Sequence, residues 1–166
     1  LTEVNTLLIT LAALERTNTS LQTQARERIA QAENARREGD RLYAEARAAL
    51  GRNAFDLARD RLERATERYD NSLSLQDSAA LRIERDQKLL SLGNDITQAE
   101  NEQVIRDVRR LLTQARSLYF AGNFERAEES LVQADLRWKL TNVDDEREIV
   151  YWLGLVRGAL SVRSGR

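Results

Sequence analysis

The stretch that decides the fold is Ala115–Ala134, ARSLYFAGNFERAEESLVQA. It has a partner earlier in the chain, Ala46–Ala65, ARAALGRNAFDLARDRLERA. Phe124 stands 69 positions after Phe55, and the same offset pairs Ala127 with Ala58, Leu131 with Leu62 and Ala134 with Ala65. Gly122 falls opposite Asn53, so the two turns are alike in kind, with a shift of a residue or so expected between them. Each stretch reads as a helix, a break and a second helix. Small residues stand where the two helices must cross, and larger ones fill the groove between them. Self-similarity at a fixed spacing marks a repeat architecture.

Residues Leu111–Ala134 resemble the tetratricopeptide repeat (TPR). Ala115 stands at the family's small position in its first helix, and Leu118-Tyr119 at its paired aromatics. Gly122-Asn123-Phe124 is similar to the family's Gly-Asp-Tyr turn, and Ala127, Leu131 and Ala134 follow its second helix. The 69-residue offset is close to twice the roughly 34-residue TPR period. The sequence departs from the pattern in having Leu111 at the Trp position and no proline. Ala79–Ala99 keeps the period weakly, through Ala80, Ile83, Ile96 and Ala99. A three-helix unit repeated twice, with TPR-like hairpins inside it, therefore fits as well as tandem regular repeats. The resemblance implies antiparallel hairpins stacked as a solenoid or bundle that serves as a protein-binding scaffold.

Outward from these stretches the chain reads as all-α. It has no proline, 32% charged residues and 5% aromatics. Such a chain builds its core from Leu, Ala, Ile and Val in closely packed helices. Hydrophobic spacing predicts about seven helices, two of them long. Helices are expected over 3–16 and 21–50, broken at Thr17-Asn18-Thr19-Ser20. Leu21, Ala25, Ala32, Ala35, Gly39, Leu42, Ala46 and Ala49 form a coiled-coil-like seam on the second. Gly51 is expected to stop it in the left-handed conformation. A third helix, capped by Asn53, runs to Tyr69 and ends at Asp70-Asn71-Ser72. A fourth starts at Ser74 and stops at Gly93. Asp95–Gln98 reads as a capping box for a long fifth helix, 96–121. A sixth carries Phe124–Trp138. A seventh opens at Asn142 with Asp144, Asp145 and Glu146 in its first turn, where acids suit the helix dipole, and runs to about residue 163. The organisation expected is a single domain over 1–166, with pseudo-repeats near 1–70 and 71–140 and a terminal helix near 143–163.

Composition excludes most chemistry. The chain has no His and no Cys, so the usual nucleophile–base pairs and most transition-metal sites are unavailable. No phosphate-binding glycine loop occurs. The acids at 144–146 and Glu125, Glu128 and Glu129 read as a helix N-terminus and a solvated face, not as metal ligands. No cofactor, metal or catalytic residue is assigned. With 26 basic and 27 acidic residues and a net charge of −1, nucleic acid is disfavoured. Lys88 and Lys139 are the two lysines among the basic residues. Arginines beside acids, as in Glu27-Arg28 and Asp60-Arg61, read as surface ion pairs.

The apolar run Thr6–Leu14 is too short to span a bilayer and lacks the basic flank of a signal peptide. The absence of Met reads as a fragment or a processed product. Arg-rich, Cys-free composition reads as bacterial, and the missing start fits a mature exported chain, so a periplasmic or otherwise extracytoplasmic place is expected over a cytoplasmic one. Tyr43, Tyr69, Tyr119 and Trp138 are expected in core or turn packing. Tyr151, Trp152 and Leu155 lie on a last helix that is apolar around much of its circumference. That helix is expected to dock on a partner, on a second copy, or on chain beyond Arg166. The partner expected is a protein or peptide, or further domains of the same chain. The alternatives are a structural rod or oligomerisation domain using the long helices as coiled-coil arms, a homodimer among them, and a helical domain for a small molecule or lipid.

Overall fold

A computed structural model describes residues 1–141 and 147–165. These residues are all-α, with five helices and no strand among them. The helices are α1 (Thr2–Gly51), α2 (Phe55–Leu75), α3 (Ala79–Phe120), α4 (Phe124–Trp138) and α5 (Arg147–Arg163). Five replaces the expected seven because two predicted breaks stay helical. The start of the seventh helix, from Asn142 through Glu146, lies outside the described residues.

The first predicted break, Thr17–Ser20, sits inside the 50-residue α1. The hydroxyls of Thr17 and Thr19 donate to the carbonyls of Ala13 and Glu15, each at 2.9 Å. Such i−4 bonds satisfy the hydroxyl within the helix, so it does not compete for the backbone as a cap. The second break, Gly93–Gln98, sits inside the 42-residue α3. Leu92 and Ile96 are both buried there. Packing of those two side chains overrides the glycine and the local capping signals. The long segments expected at 21–50 and 96–121 thus belong to α1 and α3.

Asp70-Asn71-Ser72 does not end α2. Asp70 pairs with Arg85, and buried Ser72 donates to the carbonyl of Ala32 at 2.8 Å. Ser74 stays in α2, its hydroxyl on the carbonyl of Asn71. Ser78, instead, caps α3 by accepting from the amide of Leu81 at 3.2 Å.

Packing divides the chain into two compact units, Leu1–Ile96 and Thr97–Arg166. In the first, α2 folds back on the second half of α1. Ala46, Ala49 and Ala58 share a buried cluster with Leu92 and Ile96, and Leu42, Ala65 and Tyr69 share one with Leu81. Ala32 and Gly39 are buried too, whereas no side chain before Ala32 is. In the second unit, one cluster gathers Val108, Leu111, Leu112 and Ala115 with Ala127, Leu131, Ala134 and Trp138, closed by Ile149 and Val156 of α5.

The two hairpins turn alike, with no shift in register. The amide of Ala54 donates to the carbonyl of Ala49 (3.0 Å) and that of Asn53 to Leu50 (2.9 Å). In the second unit Asn123 donates to Leu118 (2.9 Å) and Gly122 to Tyr119 (3.0 Å). Each of these four groups is 69 positions from its counterpart. The pattern is a Schellman cap, which needs one left-handed residue after the helix. Asn53 supplies it with φ 57° and Gly122 with φ 75°. Gly51 therefore does not act as the expected left-handed residue; it is the last residue of α1. Asn53 does not cap α2 either, because Ala54 stands at that position, and Ala54 and its counterpart Asn123 share ψ 71°. Ion pairs repeat at the same spacing: Arg68–Glu38 at 3.6 Å and Arg137–Asp107 at 2.7 Å.

Two helical glycines separate space from propensity. A Cβ on Gly39 would meet the Tyr69 ring at 2.9 Å, whereas one on Gly93 would meet Leu62 at an ordinary 3.7 Å. Tyr69 is buried and its hydroxyl is tied to Asp40 at 2.5 Å, so the ring has no room to give. Gly39→Ala is expected to lower stability by about 1 kcal/mol net, overpacking outweighing the helix gain. Gly93→Ala is expected to raise it by up to about 1 kcal/mol. Urea unfolding of the two variants checks both signs.

Candidate interaction surfaces

The repeat positions build the interior of the hairpins. Ala58, Ala65, Ala127, Leu131 and Ala134 have no exposed surface, and Ala115 is nearly as closed. Leu62, Phe55 and Phe124 are half-buried against the same clusters. Gly122 is exposed in its turn. Phe124 lies 5.5 Å from the Tyr119 ring. Tyr69 and Trp138, at equivalent positions, are both buried, while Tyr43 and Tyr119 are half-buried.

In the second unit, aromatic rings gather where the end of α3 meets α5. Trp152 is half-buried and makes edge contacts with Tyr119 (5.7 Å), Phe120 (6.1 Å) and Tyr151 (5.7 Å). The Arg116 guanidinium lies 5.6 Å from the Trp152 ring and pairs with Glu148. Phe120 is 77% exposed and Tyr151 62%, each against the half-buried Trp152. Of the three residues singled out on the last helix, Tyr151 faces solvent, and Trp152 and Leu155 are half-buried. Sequence reasoning missed Phe120. Its signal was present, as a large apolar residue one step past the inward-facing Leu118-Tyr119 pair at a helix end. Phe120 and Tyr151 are thus exposed rings that each meet half-buried Trp152, which also takes the Arg116 cation–π contact.

The first unit carries a polar cluster between α1 and the start of α3. Glu84 pairs with Lys88 at 2.7 Å and with Arg36 at 3.2 Å, and Lys88 lies 3.9 Å from Asp40 and 5.6 Å from the Tyr43 ring. The hydrogen bond from Lys88 holds the Glu84 carboxyl below its usual range, with Arg36 adding to the effect. Burial, with the bond to Asp40, pushes the Tyr69 phenol well above its ordinary value. These partners satisfy one another, so the cluster reads as a clamp between helices rather than a reactive site. Among the described residues no three acidic side chains gather where a metal could be held. No helix among them is long and apolar enough to cross a membrane.

A carboxylate whose folded value is lowered stabilises the fold above its unfolded value. That contribution fades as pH falls through the folded value. The Glu84 contribution to stability is therefore expected to hold from neutral pH down to the carboxylate range and to be lost below it. Glu84→Gln is expected to flatten that acid-side slope, as measured by urea unfolding across a pH series.

No family model matches this chain, and no solved structure matches it. It is 36% identical over 132 residues to an uncharacterized protein of Treponema pallidum (strain Nichols), a match that takes in 80% of this chain and 12% of that protein. The chain thus corresponds to a small part of a much longer bacterial relative.

Proposed function

We propose that this chain is a non-catalytic scaffold of the TPR type that binds a protein partner through the aromatic surface of its second unit. The observation that carries the reading is the exposed pair Phe120 and Tyr151, each against half-buried Trp152. Aromatic side chains with few rotatable bonds lose little entropy on binding, which is why they recur as interface anchors. The repeated hairpin supports the scaffold part. Two turns with the same hydrogen bonds, at a spacing near two TPR periods, are what a helical repeat requires. The composition, without His or Cys, leaves a binding role as the simplest use of such a surface.

Site-specific photo-crosslinking tests this in the cells that make the protein. A photoreactive phenylalanine at position 151 is expected to give discrete protein adducts, and adding Phe120→Ser is expected to abolish them. The same probe at exposed Gln133 of α4 serves as the control. No protein adduct at 151, or the same adducts at 133, would contradict the proposal.

A further inference from the structure

Tyr69 and Trp138 occupy equivalent places in the two hairpins, but only one of them has its polar atom satisfied. In the first unit the Tyr69 hydroxyl donates to the Asp40 carboxylate at 2.5 Å. In the second unit Trp138 stands 69 positions after Tyr69, and Arg109 stands 69 positions after Asp40. The acceptor has been replaced by a cation. Trp138 is 9% exposed, and its Nε1–H has no hydrogen-bond partner among the described residues. Buried donors are nearly always paired, so an unpaired one calls for an acceptor from outside.

Trp138 also lines a cleft of about 160 Å³, where α3, the end of α4 and the start of α5 meet in the second unit. Ile105, Val108, Leu112 and Ile149 give the cleft apolar walls, and Arg109 brings the cation to it. Arg109 is exposed, and no acid among the described residues pairs with its guanidinium. Glu148 is the one acid lining the cleft among the described residues, and Arg116 already pairs with it. A donor, a cation and apolar walls complement a carboxylate that carries a short hydrocarbon tail. A cavity of this size takes roughly six heavy atoms.

We propose that this cleft binds a short aliphatic carboxylate of about four carbons. Its charge pairs with Arg109, one oxygen accepts from Trp138 Nε1–H, and its tail lies against Val108, Leu112 and Ile149. The first unit offers no such site. There Asp40 satisfies Tyr69 and puts an acid where the cation is needed. Carboxylate binding here is independent of protein binding at the aromatic surface.

Titration of the full chain with isobutyrate tests it, read by NMR from the indole Nε1–H signals of isotope-labelled protein. Trp138 and Trp152 are the two tryptophans, so Trp152→Phe assigns the Trp138 signal. The expected result is a saturable downfield shift of that signal, with a Kd of roughly millimolar, as suits so few atoms. Isobutyramide keeps the shape and loses the charge, and is expected to bind at least about tenfold more weakly. Isobutyrate is expected to lose a similar factor on Arg109→Gln. Arg109 is exposed, so an unchanged unfolding midpoint and an unmoved Trp152 signal report that the variant keeps its fold. A Trp138 signal that does not move to saturation, or that chloride at equal concentration moves as far, would overturn the proposal and leave the cleft to solvent. Equal affinity for isobutyramide, or undiminished binding to Arg109→Gln, would overturn it as well.

Discussion

Close approach of two helices just after a tight turn is the constraint on which the structure depends. A Schellman turn brings α2 back along α1, and α4 back along the end of α3, within a few residues. The side chains between them must then be small. Ala46, Ala49 and Ala58 meet this in the first unit, and Ala115, Ala127 and Ala134 in the second, all essentially without exposed surface. Alanine burial alone removes little apolar area from water. What these residues provide is room for larger groups to lock the pair. Tyr69 fills the space over Gly39 in one unit, and Leu131 and Trp138 fill the groove in the other. Each unit is completed by a third helical segment, Ala79–Ile96 in the first and α5 in the second, which supply Leu81, Leu92 and Ile96, or Ile149 and Val156.

The hairpins were legible in the sequence because their signals are local and redundant. Alanines at helical spacing, Phe55 and Phe124 after a break, and a residue able to take positive φ all point to the same turn. The left-handed residue of the first hairpin was misplaced, at Gly51 instead of Asn53, because glycine is the stronger general signal while asparagine also tolerates that conformation. The extra breaks at Thr17–Ser20 and Gly93–Gln98 were misread because capping residues mark helix ends only when their side chains turn to the backbone ahead of them. Thr17 and Thr19 bond backward instead. At Ile96 the decisive factor is long-range burial against α1 and α2, which no local pattern encodes.

The surfaces were harder to read. Periodicity shows which face of a helix is apolar but not whether another element covers it. The stripe Val4–Leu14 is apolar at helical spacing and bare in the structure, whereas the equally apolar last helix buries Ile149 and Val156 and half-covers Trp152. The clamp of Arg36, Asp40, Glu84 and Lys88 was invisible for a related reason. Charged residues far apart in sequence look like solvated faces until the fold sets them side by side.

Buried alanines set the helix separation in both hairpins. Thermal unfolding of Ala58→Leu and Ala127→Leu, against Ala12→Leu on the exposed part of α1, tests it most directly. Each buried substitution is expected to lower stability by about 2 kcal/mol, or roughly 4–8 °C in the midpoint, and Ala12→Leu to leave it nearly unchanged. Equal midpoints for all three variants would contradict it.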